Sequence, residues 1–130
     1  MNATVYLLLR LGVAASMFGH GLVRLPKLNG FSSWMVSSFE KSMLPAALVT
    51  PFSYFVPIAE FVVGLLLLAG LFTRFAAIAG ALVMVALIFG SCMVENWDWI
   101  PSQLIHVAFF AVLVQYVSSN AWAVDNLVKK

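Results

Sequence analysis

A single carboxylate, Glu60, sits inside an almost unbroken apolar run over residues 52–72, three residues after Pro57. A hydrocarbon core of about 30 Å takes about 20 apolar residues of helix to cross, and this run has that length. A bare carboxylate facing acyl chains would cost several kcal/mol. Glu60 must therefore be neutral, turn toward other helices, or hold a cationic partner.

The composition agrees with a membrane setting. Of the 130 residues 63% are hydrophobic and 9% charged, with a mean hydropathy of +1.02. That leaves too little polar surface to cover a soluble globule. Seven Lys and Arg against five Asp and Glu is too small an excess for a nucleic-acid partner. Cys92 is the one cysteine, so no intramolecular disulfide, thiol pair or cysteine-ligated cluster can form. A lone thiol on an apolar helix reads as a small core residue.

In chain order, residues 5–23 form a first span. Arg10 interrupts its apolar run and no basic segment precedes it, so it reads as a retained helix rather than a cleaved signal. Pro26 and Gly30 are expected to end it. Residues 26–51 carry three prolines and several serines, the chemistry of a surface connection. Within it Phe31, Trp34, Met35 and Phe39 recur at helical spacing. They mark either a short amphipathic helix, lying in the interface or capping the bundle, or a loop with aromatic anchors.

The second span is read as residues 52–72, with Pro57 expected to kink it mildly. Residues 70–74 form a tight turn that leaves Arg74 at the headgroups. A third span, residues 75–94, places Ala76 with Gly80 and Ala86 with Gly90 four apart, a pattern that lets helices approach closely. Trp97, Trp99, Glu95 and Asp98 mark the next boundary, and residues 100–117 form a fourth span. The fold is therefore all-α: one transmembrane domain over residues 1–130, an up-down-up-down four-helix bundle with a short amphipathic segment between the first two spans. Basic residues tie between the two sides, with Arg74, Lys129 and Lys130 against Arg24, Lys27 and Lys41. The loop acids favour both termini in the cytoplasm, an orientation the positive-inside rule leaves undecided.

The partners of Glu60 follow from helical geometry. At 100° per residue, Arg10, His20 and Arg24 fall within an arc of about 80° on the first span. Gln103 and His106 share a face of the fourth, whereas Gln115 points away and suits a snorkelling surface position. Turning Arg10, His20, Arg24, Glu60, Gln103 and His106 inward together forms a candidate ligand pocket. The simpler readings are that Arg24 snorkels to phosphates, that His106 is a core histidine satisfied by Gln103, and that Arg10 with Glu60 is a structural ion pair.

Arg10, His20-Gly21 with a basic residue soon after, Glu60 with Gly64, the turn Gly70-Leu71-Phe72-Thr73-Arg74, and Asp125 together resemble the DoxX family of small bacterial four-helix membrane proteins. The likeness runs from Leu8 to Asp125. Many members carry lysine where Arg24 stands and a histidine where this chain has Phe89-Gly90. The resemblance implies a place in the bacterial inner membrane and a link to quinone handling, thiol stress and membrane oxidoreductase complexes. A distant eukaryotic branch resembles assembly chaperones for membrane receptors.

Two readings follow. In one, a quinone or similar headgroup enters from the lipid, His20 or His106 together with Arg10 donates to its carbonyls, and Glu60 accepts or donates a proton. Electrons would come from a soluble or membrane redox partner, since the chain has neither a Gly-rich dinucleotide fingerprint nor a cysteine set for an intrinsic cofactor. His20 and His106 as haem ligands are a weak signal, no metal site is indicated, and transport by alternating access needs more helices. In the other, the protein is a non-catalytic subunit or chaperone, the polar core sets helix pairing, and the small-residue face of the third span docks a partner or a second copy.

Overall fold

The computed structural model describes residues 1–128, so Lys129 and Lys130 of the charge count lie outside the described residues. Every regular element is helical: α1 (Ala3–Arg24), α2 (Leu28–Ser38), α3 (Ala46–Ala69), α4 (Thr73–Met93), α5 (Ile100–Gln115) and the short α6 (Asp125–Val128). Four stretches are long and apolar enough to cross a bilayer: Ala3–Ser38, Ala46–Ala69, Thr73–Met93 and Trp97–Gln115. They form an antiparallel four-helix membrane bundle.

Local chemistry sets the helix ends. The Asn2 side chain accepts from the Thr4 and Val5 amides, capping the start of α1. Pro26 does not terminate the first span. It sits in a 3-10 turn, Leu25–Lys27, after which the chain resumes as α2 with Gly30 inside it. Proline is tolerated there because the first turn of a helix has amides without intrahelical acceptors. The second span begins at Ala46 after Pro45, six residues before the expected start, and carries both Pro51 and Pro57 internally.

The amphipathic segment is a helix, and it packs against α3. The Ser53 hydroxyl meets Ser32 at 2.7 Å, and Tyr54 donates to Asn29 at 2.7 Å. On α1, Gly21 faces Phe61, and Gly64 of α3 faces Phe18. One antiparallel register thus runs along α1, the proline turn and α2. At about 1.5 Å per residue the 36-residue stretch would extend about 54 Å if straight, well beyond the hydrocarbon thickness.

Between α3 and α4 the chain reverses at Gly70, which adopts φ 72°, with the Leu71 amide reaching back to the Leu66 carbonyl at 2.9 Å. This left-handed cap is the geometry glycine accommodates without a steric penalty. The next residue but one, Phe72, has φ 50° and starts α4 without a side-chain cap of its own. Asp125 supplies one from the tail, accepting from the Phe72 amide at 2.6 Å and the Thr73 amide at 2.9 Å.

The small residues of α4 pack inside the chain. Phe110 of α5 lies over Gly80, and Phe39 approaches Gly90; Ala76 is buried. Phe110 thus fills the Ala76–Gly80 half of this face from within, whereas Ala86 and Gly90 line cavities. Toward the termini the bundle is solid, with Tyr6, Met17, Leu67, Met84, Phe110 and Leu113 among its buried side chains. Toward the α2 end it is hollow.

A Cβ at Gly21 would come within 2.5 Å of the Phe61 backbone nitrogen, and one at Gly64 would strike the Phe18 backbone, whereas Gly12 and Gly19 face open space. Gly21→Ala and Gly64→Ala are each expected to destabilise the bundle by about 1–3 kcal/mol, while Gly12→Ala and Gly19→Ala leave it unchanged or stabilise it by up to about 1 kcal/mol. Thermal unfolding of the four variants in detergent checks this ranking.

Candidate functional site

The register of α1 on α3 decides which cation meets Glu60. With Gly21 set against Phe61, Arg24 arrives beside Glu60, and its Nη1 donates to Oε1 at 3.0 Å. Arg10 lies 14 residues earlier in the helix, about 21 Å away along the axis. The expected pairing of Arg10 with Glu60 is therefore replaced by Arg24 with Glu60. Arg24 also turns inward instead of snorkelling, its guanidinium 4.7 Å above the Phe31 ring, a cation–π contact.

Glu60 stands at the inner end of a cavity of about 490 Å³. Helices α1 to α5 and the connection before α5 all contribute to it. The polar lining includes His20, Arg24, Glu60, Asp98, Gln103 and His106, and Phe31, Trp34, Phe52 and Trp99 supply aromatic walls. Five of the six residues placed in a pocket by helical geometry thus share one chamber, and Arg10 is outside it.

Hydrogen bonds fix both histidines. His106 Nδ1 lies 2.8 Å from the Ser102 carbonyl, which can only accept. A neutral His106 ring therefore carries its proton on Nδ1, and Nε2 accepts from the Ser16 hydroxyl at 2.7 Å. His20 Nδ1 lies 2.6 Å from the Ser16 carbonyl, leaving Nε2 as the free polar atom of a ring that lines the cavity. Ser16 thus links the histidines of α1 and α5. His106 is satisfied by Ser16 and Ser102, and Gln103 meets the Ser91 hydroxyl at 3.2 Å instead. Because both nitrogens of His106 are engaged, using it as an axial haem ligand would break one of these bonds. Among the described residues no cluster of His, Cys, Asp or Glu is arranged to hold a metal ion.

The second oxygen of Glu60 has no hydrogen-bond partner among the described residues. Glu60 itself is nine-tenths buried or more. The chamber thus offers one carboxylate oxygen, one imidazole nitrogen and spare guanidinium N–H groups to an occupant.

Arg10 organises a separate cluster at the other end. Its Nη1 donates to Asn120 Oδ1 at 2.7 Å and to the Trp122 carbonyl at 3.0 Å. Asn120 in turn donates to Thr73 Oγ1 at 2.9 Å. These bonds fasten the tail to the turn between α3 and α4, where the Val124 and Asp125 amides reach the Ala69 and Gly70 carbonyls. Gln115 is exposed at the end of α5.

Sequence reasoning missed Asp98 and Ser102 in the chamber, Ser16 between its two histidines, and Asn120 and Thr73 around Arg10. Ser16 was the most accessible of these, four residues before His20 and so on the same helix face. The aromatic walls from α2 could not be placed while that segment stood open between an interfacial or capping helix and a loop.

Apolar helices closed around a polar chamber define a multi-pass membrane protein of the four-helix class. The family model for DoxX matches residues 5–91, more than half of the chain, and the chain belongs to the DoxX family. That match ends within α4, so Gln103, His106 and Asp125 lie beyond it. No curated protein matches the chain, and no solved structure does.

Because Arg10 serves the tail and not the chamber, Arg10→Met is expected to lower the unfolding temperature by several degrees, from a loss of about 1–3 kcal/mol. Ligand retention at the chamber should stay within about twofold of the unaltered protein. Parallel melting curves and bound-ligand measurements separate the two effects.

Proposed function

We propose that the protein binds a small planar headgroup of the quinone type in the chamber around Glu60, as part of a membrane oxidoreductase system in the bacterial cytoplasmic membrane. The observation that carries this reading is the convergence of Arg24, Glu60, His20 and the Ser16–His106 pair on one cavity with aromatic walls. Its volume falls within the range of about 300–1,000 Å³ found for small-molecule sites. A quinone ring presents two carbonyl oxygens and a flat apolar face. Arg24 donates to one carbonyl, a doubly protonated His20 ring, its Nδ1 still donating to the Ser16 carbonyl, donates from Nε2 to the other, and Phe31, Phe52 and Trp99 bound the ring.

Reduction of a quinone consumes two electrons and two protons, and the electrons come from a separate redox protein. The residues of this chain hold the ring and handle protons. Glu60 accepts or delivers a proton through its free oxygen, and His20 exchanges one toward the open side of the cavity. The tail side holds both termini, and the loop acids favour placing it in the cytoplasm.

The reading in which the polar core serves assembly alone is less well supported. Half of the small-residue face of α4 that would dock a partner is occupied by Phe110.

The test is to purify the protein in mild detergent, extract its lipids and measure quinone by absorption and mass spectrometry. Near-stoichiometric quinone is expected, and Glu60→Gln should reduce its retention by about tenfold or more with the melting temperature little changed, as for loss of a charge-assisted bond. A chamber without quinone beside a stoichiometric protein partner would overturn the reading. So would a Glu60→Gln protein that fails to accumulate folded while a folded Arg24→Gln protein keeps its ligand.

A further inference from the structure

A second cavity, about 240 Å³, adjoins the chamber. Every residue lining it is apolar, and it shares Met35, Phe39, Phe52, Ala86 and Gly90 with the chamber wall. Its remaining walls include Leu48 and Phe89, which are 63% and 56% exposed. In a membrane bundle, exposed apolar side chains face acyl chains, so this second space opens sideways toward lipid. The pair therefore forms one path: a polar chamber ending at Glu60, a partition of shared side chains, and an apolar groove leading out.

We infer that the ligand is an amphiphile, with its headgroup in the chamber and a long aliphatic tail running past Phe39 and Phe52 into the groove. This rests on the chamber being a ligand site and adds the class of molecule that fits it. The argument is continuity and polarity. A headgroup alone would leave an apolar groove beside the chamber without an occupant of matching chemistry. An aliphatic tail can cover that groove without leaving a hydrogen bond unmade. Met35, Phe39 and Phe52 are flexible or rotatable side chains, suited to part around a chain a few carbons wide. Gly90 keeps the passage open, because a Cβ there would already approach Phe39 Cζ to 3.1 Å.

The experiment uses the full protein in nanodiscs and two probes, a tailless dimethoxy-methyl-benzoquinone and the same ring carrying a decyl tail. Binding is read from quenching of tryptophan fluorescence, since Trp34 and Trp99 line the chamber, with ligand concentrations expressed within the bilayer. The tailed ring is expected to bind about tenfold more tightly than the tailless one. Gly90→Leu, on the wall that the two spaces share, should erase that advantage. Leu48→Trp, at the exposed rim, is the second variant should Gly90→Leu not fold, and it should reduce the advantage in the same direction. A diazirine on the tail should label the segments around residues 48 and 86–90. Equal affinity for the two rings, or labelling confined to other segments, would overturn the tail path while leaving the chamber reading intact. Failure of both rings to bind, or binding insensitive to Glu60→Gln, would overturn the chamber reading and this inference with it.

Discussion

The close approach of α1 to α3 at Gly21 and Gly64 governs the rest of the molecule. Backbone meets backbone there, so neither helix can slide without driving a side chain into the other. That fixed register brings Arg24 to Glu60 and carries Arg10 to the far turn. It also extends α2 along the first half of α3, where it becomes the aromatic wall of the chamber. Shape sets the register, and the charges are arranged to suit it.

The bundle consequently divides its polar groups between two ends with different uses. At one end Arg10, Asn120, Thr73 and Asp125 satisfy one another and the backbone of a turn. At the other, Arg24 and Glu60 form an ion pair whose remaining donors and acceptor border a cavity. A charge pair buried among apolar residues is weak grounds for stability. A pair that leaves a carboxylate oxygen toward open space is better placed to act on a visitor than to brace a core.

Much of this could be read in the residues. Hydropathy and length gave four spans and an all-helical bundle, because lipid leaves a spanning chain few alternatives. The wheel of α1 correctly put Arg10, His20 and Arg24 on one face. It placed Arg10 in the site because an angular projection discards the axial coordinate, and 14 residues of helix separate that arginine from Arg24 by most of a leaflet pair. The start of α3 was placed late because Pro51 resembles a boundary, whereas the helix runs through it as it does through Pro57. The course of α2 was illegible for a different reason. Its direction is set by tertiary contacts, Ser32 with Ser53 and Asn29 with Tyr54, that no periodicity within the segment encodes.

The cap on α4 comes from far along the chain. Phe72 and Thr73 are made some fifty residues before the aspartate that accepts their amides, and Arg10 is made earlier still. During synthesis the first four helices must enter the bilayer with that turn's amides and that guanidinium provisioned by water or lipid headgroups. Only the arrival of the segment carrying Asn120 and Asp125 retires these stopgaps, so the hollow end takes shape around a frame that until then is unlatched.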